Sequence, residues 1–249
     1  MSLIQYINSG FEDLLCEKTS SMIIPNVLPK SDCVAICEKI FSNSKTTSSP
    51  GIPSTIGTSL SSHIYEKSKY FSNSIMTNSL IQNLFSDLFS PITKMHDVIS
   101  HISGKQIFTA SENGMSYSDC VIRIHKDGDS VHLHRDNSNF EMPDYDVSQC
   151  KNQLSAILYL QTPQIGGELT LFDKKWCKED ECMREPEFGY RSNVVAVATK
   201  SSIVPVAGTM VLLNPKFYHK IESVLGTKHR VSVGFFFAED SRNNLCAWA

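Results

Sequence analysis

The chain of 249 residues carries a formal net charge of −3, with 41 % hydrophobic and 20 % charged residues. That balance excludes a disordered chain and gives no Lys/Arg density suited to nucleic acid, while the length is enough to bury a sizeable core. No apolar run approaches the roughly 18 residues of a membrane helix, and Met1–Tyr6 lacks the basic and apolar regions of a secretion signal. The expectation is therefore a reduced, cytoplasmic protein with no membrane or nucleic-acid partner, its eight cysteines free.

Residues 1–105 read as mostly helical and irregular. Ser31 is placed to cap a helix that carries Val34, Cys37, Ile40 and Phe41 at helical spacing. The Ser/Thr/Pro-rich stretch from Ser42 to Ser62 reads as a mobile surface loop. Asn78 precedes a second apolar stripe through Ile81, Leu84, Phe85 and Leu88. Ser90-Pro91 opens a further helix, with Ile92, Met95, Val98, Ile99 and Ile102 as its buried face and Ser103-Gly104 as its end.

From Gln106 the texture changes to short β-rich runs. Strands are expected at 106–109, 119–125, 131–134, 153–161, 168–172, 194–197, 202–205, 209–213, 218–223 and 230–237. Turn residues such as Asp127-Gly128-Asp129, Gly166-Gly167 and Asn214-Pro215 divide them. Many short strands with no helical pattern between them predict an α+β fold. Its core over residues 106–240 is expected to be a double-sheet jelly roll (double-stranded β-helix) or a barrel, with the N-terminal helices packed against the sheet as support. No boundary is visible, so 1–249 is expected to be a single domain. Two insertions, Asn137–Lys151 and Asp173–Ser192, have the length of lids or binding loops.

The chemistry centres on Val131-His132-Leu133-His134-Arg135-Asp136. Residues i and i+2 of a strand share a face, so His134 and Asp136 can converge on one metal ion. His219, in Pro215-Lys216-Phe217-Tyr218-His219, is the candidate third ligand. Two histidines and one carboxylate on one face of an octahedron form the non-haem Fe(II) oxygenase arrangement. Arg230 opens a very apolar strand, where a guanidinium is costly to bury without an anion. A cosubstrate with a metal-chelating 2-oxo acid and a distal carboxylate, 2-oxoglutarate, would meet both the iron and Arg230. Ser232 shares the face of Arg230, and Tyr159 can bring a phenol beside it. Arg123, Asn137 and Arg191 are candidates for the carboxylate or amine of an amino-acid-like substrate, and Trp176 for a contact from the second insertion. His132 shares the face of His134 and is either a rival ligand or a pocket residue.

Residues from about 117 to 238 resemble the catalytic core of the Fe(II)/2-oxoglutarate-dependent oxygenases, in their prolyl-hydroxylase-like branch. The matching pieces are His134-Arg135-Asp136, Ile157-Leu158-Tyr159-Leu160 with Gly166-Gly167-Glu168-Leu169, Pro205 through Met210, Asn214 through His219, and Lys228 through Ser232. The glycine-marked strand running into a charged, aromatic insertion is similar to small-molecule members that act on free amino acids or alkaloid-type metabolites. The resemblance implies a dioxygenase using Fe(II), 2-oxoglutarate and O2, stimulated by ascorbate, that hydroxylates an unactivated C–H bond of a small molecule and releases succinate and CO2. Some relatives are halogenases with Gly or Ala where this chain has Asp136, so a hydroxylase-type centre is implied here. A peptidyl hydroxylase and a desaturase or cyclase on a natural-product intermediate are the alternatives among enzymes. Outside enzymes the alternative is a metal-binding jelly-roll module, which gives Arg230 no role. Ile124 and His125 stand where protein prolyl hydroxylases often carry a tyrosine, so the 2-oxoglutarate contacts are expected to depart from that pattern. Substrate identity and oligomeric state are open at this level.

Overall fold

Two sheets and a layer of helices position the residues singled out above. The computed structural model describes residues 10–43, 51–86 and 88–249. In chain order they form β1 (Ser21–Ile24), α1 (Lys30–Asn43), β2 (Ser54–Ile56), α2 (Lys67–Leu84), α3 (Pro91–Ser103), β3 (Ile107–Thr109) and the hairpin β4 (Ser111–Glu112) and β5 (Met115–Ser116). Next come β6 (Val121–His125), β7 (Val131–His134), the short α4 (Ser138–Glu141), β8 (Lys151–Gln161), β9 (Ile165–Gly166), β10 (Leu169–Lys175) and β11 (Lys200–Ile203). The chain ends with β12 (Met210–Leu213), β13 (Phe217–Ile221), β14 (Val224–Leu225), β15 (Arg230–Glu239) and β16 (Leu245–Trp248).

The larger sheet runs β1-β12-β8-β15-β16-β3, and β6 with β2 joins the other end of β15. The smaller runs β11-β10-β13-β7. Apart from the parallel β16–β3 pair, the pairings within these two sheets are antiparallel. The two-residue period of a strand decides what each face does. Leu154, Ala156, Leu158 and Leu160 of β8, Met210 and Leu212 of β12, and Val231, Val233, Phe235 and Phe237 of β15 all pack under the helices. The alternate residues Tyr159, Val211 and Leu213 pack instead on Leu169, Leu171, Ile203 and Ile221 of the smaller sheet. Arg123, His125, Arg230 and Ser232 fall on this second face by the same alternation. The fold thus aims the polar residues of β6 and β15 away from the helices, toward the smaller sheet.

Several expectations are corrected. Residues 1–105 are not only helical and irregular, because β1 pairs with β12 and β2 with β6. β2 lies inside the stretch expected to be a loop, whose Ser48-Ser49-Pro50 falls outside the described residues. Ser31 lies within α1, because hydrogen bonding begins two residues earlier with Cys33 N–H donating to Pro29 O at 3.1 Å. The buried face is therefore Cys33, Ile36, Cys37 and Ile40, and Val34 is 57 % exposed. Asn78 is interior to α2, where its Nδ2 donates to Tyr117 O at 2.8 Å and its Oδ1 accepts from Asp119 N at 2.9 Å. The strand expected at 194–197 is a 3-10 turn over Ser192–Val195, since Val194 and Val195 are both buried against Tyr190 and Tyr218 and cannot alternate. β16 extends the sheet beyond residue 240. α3 matches its expectation, with Ser90 Oγ accepting from Thr93 N at 3.4 Å and Gly104 ending it at φ +68°. No helix among the described residues is long and apolar enough to cross a membrane.

Candidate active site

Strand pairing brings the three expected ligands together. β13 lies antiparallel to β7 with His219 opposite His134, and Asp136 follows directly, its N–H donating to Pro215 O at 2.8 Å. One ligand atom from each of His134, Asp136 and His219 falls within 4.8 Å of the others. The Nδ1 atoms lie 2.7 Å from His132 O and 2.9 Å from Phe217 O, so each ring donates Nδ1–H to a carbonyl. Each Nε2 is then left as a lone pair, 4.0 Å (His134) and 3.4 Å (His219) from Asp136 Oδ2. Acceptors facing a carboxylate make a donor set that fits a cation. Burial, followed by His219, lowers His134 to about 4. Burial pushes Asp136 up, but His219, His134 and the Arg123 guanidinium outweigh it and hold the carboxyl at about 2. At neutral pH Asp136 is therefore ionised and His134 uncharged, as ligands to a divalent ion must be.

Between the two ligands, Arg135 points the other way and joins both insertions. Its buried guanidinium pairs with Glu141 at 3.0 Å and Glu181 at 3.1 Å, and lies 4.4 Å from the Trp176 ring centroid. Glu181 also accepts from Trp176 Nε1 at 2.6 Å and Tyr190 Oη at 2.5 Å. Glu181→Gln keeps acceptors for these two groups but leaves Arg135 with one carboxylate. A stability loss of about 1–3 kcal/mol is expected, read by chemical denaturation.

The larger sheet supplies a second polar cluster. Arg230 is 1 % exposed, and no carboxylate among the described residues pairs with it. Its Nη1 lies 3.2 Å from Ser232 Oγ and 3.4 Å from His125 Nδ1, and its guanidinium 5.0 Å from the Tyr159 ring centroid. His125 and Arg230 are register partners, as are Ser232 and both Arg123 and Tyr159. Burial, then Arg230 and Arg123, pushes the His125 pKa well down, so the ring is neutral. With Nδ1 accepting from Arg230, its proton sits on Nε2. That Nε2, Arg230 Nε and Tyr159 Oη are all buried without a hydrogen-bond partner among the described residues. Unmet donors around an uncompensated cation fit a carboxylate. Gly167, at φ +70°, makes room for them, because a Cβ there would meet Arg230 Cδ at 2.9 Å and Val224 Cγ2 at 3.0 Å. Gly167→Ala is expected to cost about 1–3 kcal/mol and to raise the KM for 2-oxoglutarate by displacing Arg230, both measurable on the purified variant.

The comparisons agree with this geometry. The family profile of the carrier-protein-independent halogenase WelO5 matches residues 2–249. The chain belongs to this family. It is a 2-oxoglutarate-dependent non-haem iron oxygenase, with Fe(II) as cofactor and 2-oxoglutarate as cosubstrate. Leucinostatins biosynthesis cluster protein S of Purpureocillium lilacinum is 24 % identical over 165 residues, 64 % of this chain and 67 % of that one. Among solved structures, an N-substituted L-amino acid dioxygenase from Burkholderia ambifaria aligns at TM-score 0.64 and 14 % identity over 100 % of this chain and 92 % of its own. It is also known in complex with 2-oxoglutarate. The carbocyclase SnoK of nogalamycin biosynthesis aligns at TM-score 0.56 and 11 % identity over 96 % of both chains.

In this oxygenase the candidate substrate residues separate. Arg123 faces the centre from β6; burial lowers its pKa, Asp136 is the acidic neighbour that opposes this, and it makes no hydrogen bond or ion pair with a described residue. Asn137 is buried beside the ligands, its Oδ1 without a partner among the described residues. His132 is exposed and serves the centre through its carbonyl. Trp176 is held in the Arg135 network, and Arg191 is an exposed residue 3.6 Å from Glu185. Two neighbours of the centre escaped the sequence reading as site residues. His125 was seen only as a departure from tyrosine, although its even spacing from Arg123 puts both on one face. Phe188 brings its ring 5.2 Å from that of His134, because Gly189 (φ +86°) lets the insertion lie against β7 and Tyr190 N–H donate to Leu133 O at 2.8 Å.

Proposed function

We propose that the enzyme hydroxylates an unactivated C–H bond of a small molecule, a free amino acid or related metabolite, with release of succinate and CO2. The observation that carries this is the complete two-histidine, one-carboxylate face beside a buried, uncompensated Arg230. Asp136 occupies the coordination position that halogenase relatives leave for chloride, so oxygen transfer rather than chlorination is the outcome. When bound, iron and 2-oxoglutarate supply dioxygen activation, 2-oxoglutarate losing CO2 to become succinate. The chain contributes orientation and exclusion of water. His134, Asp136 and His219 hold the metal on one face, and Arg230, Ser232, Tyr159 and His125 hold the distal carboxylate. Phe188 and the 173–192 insertion cover the ligand strand, which favours an enclosed small-molecule pocket over the open groove of a peptide hydroxylase. Arg123 and Asn137 anchor the substrate through an anionic or acceptor group and a donor respectively.

The same reading takes the two facing sheets as a jelly roll and the chain as one domain, its first 105 residues a buttress. The names of its relatives, an amino-acid dioxygenase and a biosynthesis-cluster protein, support a metabolite substrate. The test is a screen of free and N-substituted amino acids with Fe(II) and 2-oxoglutarate, read by substrate-dependent succinate release and a mass gain of one oxygen. Turnover confined to peptides would replace the small-molecule reading.

A further inference from the structure

Away from the metal centre, two thiols from distant parts of the chain meet. Cys150 Sγ and Cys246 Sγ lie 3.3 Å apart across 96 residues of sequence, and both are half-buried free cysteines. Cys246 sits on β16 opposite Ala238 of β15, and Cys150 immediately precedes β8, whose Lys151 faces Glu239 of β15. The sulfurs therefore approach from either side of β15, and the small Ala238 between them leaves room. Cys150 also closes the first insertion, since Asn139 Nδ2 donates to its carbonyl at 2.9 Å. We propose that Cys150 and Cys246 form a redox-responsive dithiol that closes to a disulfide under oxidation by a low-molecular-weight disulfide such as glutathione disulfide.

The step balances as two thiol–disulfide exchanges. The Cys150 thiolate attacks one sulfur of glutathione disulfide, forming a mixed disulfide and expelling one glutathione thiolate. The Cys246 thiolate then attacks the Cys150 sulfur, forming the protein S–S bond and expelling the second glutathione. Two protein thiols are oxidised, one glutathione disulfide is reduced to two glutathiones, and the two protein protons pass to the leaving thiolates. The contact must shorten to about 2.05 Å, which asks for rotation of two short side chains. The hydrogen bond between the two sulfurs draws the Cys150 thiol down, while the same bond and burial push Cys246 up, and beside the 3.3 Å contact this favours Cys150 for the first attack. The bridge would fasten the end of the first insertion to the C-terminal strand and enclose His219 and Arg230 in its loop.

The test uses the iron-loaded full chain, without oxygen, equilibrated with glutathione disulfide. The expected result is a non-reduced peptide pair joining Cys150 to Cys246 and lighter by two hydrogens than the two reduced peptides, with a Tm raised by roughly 5–15 °C. Cys246→Ser is expected to stop with one glutathione on the Cys150 peptide, and Cys150→Ser to form no bridge at Cys246. Alkylation of both thiols after equilibration, or a bridge mapped between other cysteines, overturns the proposal. The wild-type peptide map decides the matter even if a serine variant does not fold.

Discussion

Asp136→Ala is expected to bring 2-oxoglutarate consumption to background and to weaken Fe(II) binding by at least about 100-fold. Loss of a residue that merely orients a metal ligand costs 10–100-fold in affinity or activity, and removing a ligand itself must cost no less. The electrostatics point the same way. Asp136 is the only anion of the three ligands, and it opposes the half-buried Arg123 charge, which the variant leaves unbalanced beside the metal. The fold itself is expected to survive, because the carboxylate is 28 % exposed and its backbone N–H keeps its bond to Pro215. Anaerobic Fe(II) titration with succinate assay separates the outcomes. Undiminished iron binding would mean that another residue completes the face.

Arg230→Met is expected to separate cosubstrate binding from metal binding. A guanidinium that is 1 % exposed, with no carboxylate partner among the described residues, burdens the free protein by its desolvation, so a thioether of similar length is expected to leave the Tm unchanged or raise it. The bound 2-oxoglutarate loses its charged partner. Truncating one side of a buried, hydrogen-bonded charge pair costs about 2–5 kcal/mol, so affinity falls about 30-fold to several thousand-fold. Fe(II) affinity is expected to stay within a few-fold of wild type. Joint loss of iron and 2-oxoglutarate binding, or an unfolded variant, would contradict the assignment and make Arg230 a structural residue.

The metal face was legible because it depends on strand periodicity and on two segments that the sequence already marks. His134 and Asp136 need only a spacing of two, and His219 follows an apolar strand. Arg230 was legible because a charge at the head of Val231–Phe237 demands a reason. The features that were not legible depend on pairing between distant segments. Nothing local in Ser54–Ile56 distinguishes a strand added to β6 from a loop, and the buried face of α1 shifts by one residue once Pro29 starts its hydrogen bonding. The direction of Trp176 was beyond reach for the same reason. An aromatic in a charged insertion reads as a substrate contact until Arg135, sent to the opposite face by the same alternation that aligns the ligands, turns out to be its partner. His125 differs in kind: its face was readable from Arg123, but its role depends on which ring nitrogen carries the proton, a matter settled by its contact with Arg230.

An intact carboxylate at 136 is expected to direct this member of a family named for a halogenase toward oxygen insertion. The direct measurement is product mass from a responding substrate, turned over with Fe(II) and 2-oxoglutarate under isotopically heavy dioxygen in chloride-containing buffer. The predicted product gains one heavy oxygen atom and carries no chlorine isotope pattern. A chlorinated product from the enzyme with Asp136 in place would contradict the claim.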